Sequence, residues 1–322
     1  MMELITRVNI GKSAFTIDHG TPMLVVGSCF AQNVGRRLEE GLFDVAVNPA
    51  GVVYNPMSIA RTLSLVIEGR KIDESELFCR DGIFHSWDFH SSMSSVDPQK
   101  AVEKINGSII EAHELVNRVG VVILTFGSTR YYSLKENGRI VANCHKMPAG
   151  MFDLTDATDG EMFEAVDDVI KRLKKINSDV KVIVTVSPVR YKAYGYHESQ
   201  VMKGRLLMLC DRLVGESDAQ YFPSYEIMMD ELRDYRYYDA DMIHPSELAV
   251  NYIFERFSEC YFTELTCRLL KRASRLTKRV NHRFMTDNIQ QAEAFQNETR
   301  EMARQLETEC GQMNRAINKL LK

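Results

Sequence analysis

Two short stretches, far apart in the chain, carry the side chains with the clearest chemical capacity. Residues 22–31 read Pro-Met-Leu-Val-Val-Gly-Ser-Cys-Phe-Ala. An apolar, β-branched run ends at Gly27, two nucleophile-capable side chains, Ser28 and Cys29, follow at once, and a helix-compatible segment begins. A strand, a glycine and then a helix is how an α/β fold lifts a reactive side chain to the carboxyl edge of its sheet. The second stretch is Asp239-Ala240-Asp241-Met242-Ile243-His244-Pro245. On a turn entering a helix, a carboxylate three residues before a histidine can reach Nδ1, which leaves Nε2 free to deprotonate a nucleophile. Pro245 is expected at the first helical position. A surface histidine capped by a nearby aspartate is the simpler alternative.

Two further constellations have chemical potential. His85-Ser86-Trp87-Asp88-Phe89-His90 places two imidazoles and a carboxylate within six residues, and Cys144-His145 adds two more possible ligands. Were 85–90 a strand, His90 and Asp88 would share one face and His85 the other, so this run alone makes a strained metal site. Trp87, His90 and His145 read better as residues lining a substrate cleft, and no metal is expected. Ser187-Pro188-Val189-Arg190 follows a strand-like run, so Arg190 could meet an anionic substrate group or form a structural ion pair.

These residues need elements to position them. Strand-like runs occur at Met23–Val26, Val45–Val47, Gly120–Phe126, Val182–Val186 and Ala219–Phe222. Between them lie helix-compatible stretches at Ala31–Leu42, Met57–Glu68, Gln99–Asn117, Gly160–Asn177, Glu198–Gly215 and Pro245–Cys260. The alternation predicts βαβ units and a mostly parallel sheet covered on both faces. Residues 80–95 and 131–155 interrupt it as loop-rich insertions expected above the sheet edge, with a hairpin at Tyr131–Val141 turning at Glu136-Asn137-Gly138.

The composition changes after about residue 262. Arg268, Lys271, Arg272, Arg275, Lys278, Arg279 and Arg283 form a run without acidic residues. It could bind an anionic polymer but reads more simply as a solvated helix face. Ala292, Phe295, Thr299, Met302, Leu306, Cys310, Met313, Ile317 and Leu320 then follow mostly 3-and-4 spacing. This predicts a helical tail, residues 263–322, that either packs back on the domain or self-associates into a homo-oligomer.

The chain has 322 residues, is 45% hydrophobic and carries a net charge of −4. That balance argues against general binding to nucleic acid. No apolar run is long enough for a membrane span, and the N-terminus lacks a signal-peptide core. Seven scattered cysteines without a C-x-x-C pair fit reduced thiols in a cytoplasmic setting. No standard phosphate-binding loop is present, so no cofactor is expected.

Gly27-Ser28-Cys29-Phe30-Ala31 resembles the signature of the GSCFA-domain family. So do Asn48-Pro49-Ala50-Gly51-Val52-Val53-Tyr54-Asn55-Pro56, Ser86–Ser91, Val141–Lys146, Thr185–Arg190 and Tyr221–Glu226 with Asp241–Pro245. That family resembles the SGNH (GDSL-type) hydrolase superfamily. The resemblance implies a flavodoxin-like three-layer α/β/α sandwich over residues 1–262 and hydrolysis or transfer of an acyl ester. The substrate would be an acylated carbohydrate or a related small ester. It implies Asp241 and His244 as the terminal Asp-x-x-His, Gly51 as an oxyanion donor, and Cys29 in the nucleophile's place in a gapless register, with Ser28 as the alternative. Gly127-Ser128-Thr129 stands where Gly-x-Asn is usual, so Thr129, Asn143 or Asn55 would have to supply the third donor. The rival reading is a catalytically weak or inactive frame that binds a ligand or partner and assembles through its tail.

Overall fold

The computed structural model describes residues 5–282 and 289–321. Met1–Leu4 of the N-terminal reading and Arg283 of the basic run lie outside the described residues. Among the described residues the strands are, in chain order, β1 (Met23–Gly27), β2 (Val45–Val47), β3 (Phe78–Arg80), β4 (Ile83–His85), β5 (Val121–Phe126), β6 (Arg130–Leu134), β7 (Ile140–Val141), β8 (Phe152–Asp156), β9 (Lys181–Val186) and β10 (Ala219–Tyr221). The helices are α1 (Cys29–Glu40), α2 (Pro56–Glu68), α3 (Pro98–Val116), α4 (Asp159–Ile176), α5 (Tyr196–Ser217), the single turn α6 (Ser224–Glu226), α7 (Glu247–Tyr261), α8 (Glu264–Val280), α9 (Ile289–Glu309) and α10 (Asn314–Leu320).

The central sheet is parallel, in the order β2-β1-β5-β9-β10. Counting only these five strands, that is 2-1-3-4-5, the flavodoxin-like order, whose direction reverses between β1 and β5. Strand alternation divides the core in two. Leu24, Val26, Val122, Leu124, Val182 and Val184 pack under α2, α3, α4 and α5. Met23, Val25, Val121, Ile123 and Ile183 pack under α1 and α7. The result is a three-layer α/β/α sandwich whose strands are apolar on both faces, as burial on both sides requires.

Polar caps begin the helices where the chain leaves a strand or loop. Asn55 caps α2 ahead of Pro56, Asp97 caps α3 ahead of Pro98, and Thr158 with Glu161 forms a capping box on α4. Helix α7 begins at Glu247 with Ser246 as its cap, so Pro245 is not at the first helical position. Pro245 stands one residue outside the helix and pairs in an isolated bridge with Tyr238. Helix α1 starts at Cys29 rather than Ala31, because Ser28 is its cap.

Both insertions hold more regular structure than expected. Residues 78–85 form the hairpin β3–β4, and the expected hairpin at 131–141 is present as β6–β7, with β8 added on the other side of β6. The tail is broken rather than continuous. A 3₁₀ turn at Gly311–Met313 separates α9 from α10. Ala303, Leu306, Cys310, Met313 and Ile317 bury against Leu269, Ala273 and Leu276 of α8 and against Leu42. The apolar seam is therefore filled from within the chain. Arg272 and Arg279 of the basic run turn onto Glu309 and Glu298 of α9. Among the described residues no helix is long and apolar enough to cross a membrane.

Gly27 has φ +152°, and a Cβ there would lie against the backbone oxygen and nitrogen of Thr125 on β5. Gly27→Ala should therefore cost about 3 kcal/mol, from overpacking against backbone in a conformation that disfavours a side chain. Urea unfolding read by far-ultraviolet circular dichroism checks this, and a loss below about 0.5 kcal/mol would contradict the close approach.

Candidate functional site

The turn after β1 is gripped by the loop after β2. Asn48 accepts the Gly27 N–H through Oδ1 at 2.8 Å, donates Nδ2 to Gln32 at 3.0 Å, and sends its own N–H to Val25 O at 2.8 Å. Asn48 holds φ +45° to do so, a conformation asparagine tolerates better than most residues. Val53 N–H returns to Gly27 O at 3.2 Å.

Ser28 and Cys29 emerge from this turn in different states. Ser28 is 3% exposed. Its Oγ accepts the Phe30 N–H at 3.2 Å and donates to Ser187 Oγ at 3.0 Å. The hydroxyl is thus tied down as a helix cap. Cys29, the first residue of α1, is half-buried, and its thiol has no hydrogen-bonded side chain among the described residues. Burial pushes the Cys29 thiol pKa up. The N–H groups of Cys29 and Phe30 and the Lys203 ammonium oppose that shift, while Asp241 adds to it. The net shift keeps the resting group a thiol.

His244 lines the same cleft as Cys29, paired with Asp241. His244 Nδ1 lies 2.6 Å from Asp241 Oδ2, and Asp241 Oδ1 accepts the N–H groups of Ile243 and His244 at 2.8 and 3.0 Å. The His244 side chain and these two amides hold the Asp241 carboxyl at a pKa of about 2. The carboxylate fixes the Nδ1–H tautomer and leaves Nε2 as an acceptor. Met242, inside this turn, sits at φ +58°. Arg190 supports it from behind: its N–H donates to Ile243 O and its guanidinium to Met242 O, both at 3.1 Å, while the guanidinium stacks on Tyr196 and Tyr238. Among the described residues no carboxylate forms an ion pair with Arg190, and the residue lines the same space as Cys29 and His244. It clamps the backbone of the Asp241–His244 turn.

Ser28, Cys29 and His244 line one cleft of about 330 Å³, walled by Val52, Tyr54, Val189, Tyr191 and Ile243. Tyr54 and Tyr191 meet through their hydroxyls at 3.4 Å, and Tyr191 stacks on Tyr194 with centroids 5.0 Å apart. Tyr132 of the β6–β7 hairpin reaches the Tyr194 hydroxyl at 3.4 Å, so that insertion buttresses the cleft wall. The cleft opens at the carboxyl ends of β1, β5 and β9, at the switch point where ligands of open α/β sheets bind.

The expected oxyanion donors need revision. Gly51 N–H is already donated to Asn48 O at 2.7 Å. The next amide, that of Val52, has no acceptor among the described residues, and Val52 faces the cleft. Thr129 donates its hydroxyl to Asp156 at 2.5 Å and is fully buried. Asn143 caps the turn at His145, and Asn55 caps α2. Neither is among the residues lining the cleft.

Trp87, His90 and His145 are not there either. Trp87 stacks on Phe78 with centroids 3.8 Å apart. His145 places Nε2 against Ser86 O at 3.0 Å and Nδ1 against Ser91 Oγ at 3.1 Å, 4.4 Å ring to ring from His85. His90 lies against Gly51 and accepts the Ser92 N–H. Asp88 pairs with Arg61 and Arg139. This is a packed polar-aromatic cluster, and no group of three potential ligands able to hold a metal occurs among the described residues.

The sequence reading passed over Asn48, Val52, Ser187 and Lys203 as site residues. Lys203 Nζ donates to Gly127 O at 3.1 Å and Ser187 O at 2.7 Å beneath the cleft floor. Its signal was available, because a lysine falls on the buried face of α5 in register with Ser199, Leu206, Cys210 and Leu213.

The strand order and the turn that carries the half-buried thiol define an open α/β protein with a cysteine, a histidine and an aspartate grouped around the switch-point cleft. A family model described as the GSCFA family matches residues 22–257, and the chain belongs to that family. The match takes in the whole central sheet, the Ser28-Cys29 turn and the Asp241–His244 pair, and stops before α8. No curated protein matches the chain.

Burial lowers the pKa of His19, His85, His90 and His145, the last to about 4. Each binds its proton more weakly when folded than when unfolded. As pH falls from 6.5 toward 4, the unfolded chain takes up protons that the native state refuses, so stability falls with pH across that window. The thermal midpoint should be lower at pH 5 than at pH 7.5, and His145→Gln should flatten the dependence. Equal midpoints at the two pH values would rule out a buried neutral His145.

Proposed function

We propose that this protein is an acyl-ester hydrolase or acyltransferase that uses Cys29 as nucleophile, His244 as general base and acid, and Asp241 to orient the imidazole. The observation that carries this reading is the shared cleft: a half-buried thiol at a helix N-terminus and a carboxylate-oriented imidazole open onto the same 330 Å³ space. The family's resemblance to SGNH hydrolases supports the same assignment. Ser28 is the weaker candidate because its hydroxyl is spent on Ser187 and on the α1 cap.

In the proposed reaction Cys29 Sγ attacks the ester carbonyl while its proton passes to His244 Nε2. The carbonyl π pair moves onto oxygen, facing the N–H groups of Cys29 and Val52. Collapse breaks the C–O bond, and the departing alkoxide takes the proton back from His244, leaving a thioester. Water, or the hydroxyl of an acceptor, then attacks the thioester as His244 removes its proton. Collapse breaks the C–S bond and expels the thiolate, which regains a proton from His244. The aliphatic surfaces of Val52, Val189 and Ile243 suit an acyl chain. The Tyr54 and Tyr191 rings suit the apolar face of a sugar or similar alcohol.

A thiol-reactive acyl probe with mass spectrometry tests this directly. Labelling should persist in Ser28→Ala and vanish in Cys29→Ala. Turnover of p-nitrophenyl acetate should fall about 10³-fold in Asp241→Asn, which leaves the fold intact but removes the anchor of the tautomer. Labelling lost in Ser28→Ala and kept in Cys29→Ala would move the nucleophile to Ser28. Absence of both labelling and turnover would favour a ligand- or partner-binding protein on the same frame.

A further inference from the structure

We infer that Lys203 is the electrostatic partner of the Cys29 thiolate: a positioning residue that holds positive charge under the reactive turn. The inference rests on Cys29 as the reactive group and asks what stabilises its anionic form.

The geometry begins with a misplaced charge. Lys203 is 2% exposed, on a face of α5 otherwise apolar or small. A buried ammonium is costly unless a countercharge accompanies it. No carboxylate forms an ion pair with it among the described residues. Its acceptors are the carbonyl oxygens of Gly127 and Ser187, at the carboxyl ends of β5 and β9. These are dipoles, which orient the amine without neutralising it.

Both carbonyls belong to residues that line the Cys29 cleft. Ser187 Oγ holds Ser28, and Gly127 lies beneath Ser28, near enough that a Cβ there would meet Ser28 Cβ at 3.7 Å. The amine therefore sits one layer below the turn. The charged or titratable groups around it are few. From α1 comes Cys29. The turn before α7 contributes Asp241 and His244, already committed to each other. The loop after β9 contributes Arg190, stacked on Tyr196 and Tyr238, α6 contributes the Tyr225 ring, 5.8 Å from Nζ, and the segment beyond α6 contributes Arg233, Tyr235 and Asp234, whose carboxylate is paired with Arg236. The thiol is the group left to supply a negative charge.

The two groups shift each other in the directions this predicts. Burial lowers the Lys203 pKa to about 7, and a Cys29 anion raises it. Burial raises the Cys29 pKa, and the Lys203 ammonium lowers it. Each group alone prefers to be neutral in this layer, and each, when charged, draws the other toward its charged form. In the proposed attack the thiol proton goes to His244, and Lys203 keeps its three protons and breaks no bond. A lysine that only tied β5 to β9 would leave the thiol's titration unchanged.

The test is iodoacetamide alkylation of the full chain across about pH 6–11, with the Cys29 peptide followed by mass spectrometry. Lys203→Met and Lys203→Gln should each raise the Cys29 midpoint by about one unit and slow alkylation about tenfold at neutral pH, whereas Lys203→Arg should retain most of the wild-type profile. Midpoints unchanged in both neutral variants would overturn the inference. Cys29→Ser, which keeps Lys203 and its carbonyl contacts, gives the reciprocal reading should the lysine variants fail to fold. The Lys203 ¹³Cε titration should then shift downward, and an unchanged titration would equally overturn the pairing. Because neither readout uses ester turnover, a shifted midpoint without turnover would sink the proposed reaction and leave the pairing standing.

Discussion

The approach of β1 to β5 at Gly27 sets the rest of the site. No side chain fits between Gly27 and the Thr125 backbone, so the strand ends in a bare turn that runs close beneath its neighbour. That closeness lets the next residues rise at the switch point of the sheet rather than along its face. Asn48 supplies the hydrogen bond that the turn would otherwise lack. Ser28 closes the first turn of α1, and Cys29 becomes the first residue with both a helical backbone and an open side chain. A thiol so placed receives the helix's N-terminal amides, the part of a helix best suited to an anion.

Charge is layered about that thiol. An ionised carboxylate lies on the solvent side, held by a histidine and two backbone amides. An amine lies on the core side, held by two carbonyls. The two ends differ in their freedom. Asp241 and His244 are each almost half exposed, so their arrangement depends on a backbone turn with a left-handed Met242, clamped by Arg190. Lys203 is buried at the edge of a second cavity and tethered by the carbonyls that follow β5 and β9. Strain at the exposed end and burial at the inner one achieve the same thing, an ionisable group held in place on either side of the thiol.

Much of this was legible in the sequence because it is local. The five central strands, the six domain helices, the reactive turn and the Asp241-x-x-His244 pair are each fixed by neighbours along the chain, and each lies within a residue or two of its expected place. What escaped depends on distant partners. Whether Gly51 or Val52 presents a free amide is decided by a turn closing onto Asn48. Thr129 stands in the right register for an oxyanion donor, but Asp156 on β8 claims its hydroxyl. Trp87 and His145 look like cleft residues until Phe78 and His85 are brought against them. The tail's apolar spacing is the same whether its partner is another copy or α8 of its own chain. Lys203 sat in plain view on an apolar helical face, but the acceptors that make sense of it come from two different strands.

The helices beyond the family match bear on the site through α1. Thr277 of α8 donates to Glu40 O at 2.9 Å, Leu270 packs where a side chain on Gly41 would stand, and His19 reaches Gly41 O at 3.0 Å. Arg37 ties the middle of the same helix to Asn251 and Glu247 of α7. A helix of twelve residues behaves as a rigid rod of about 18 Å. Fixing its far end therefore limits how its first residue can tilt. Cys29 is held from the front by the Gly27–Asn48 turn and from behind by α8, which itself rests on α9 and α10 through the Leu269–Leu306 cluster. The C-terminal helices, remote from the cleft, thus belong to the mechanical support of the thiol, and their seam is occupied in giving it.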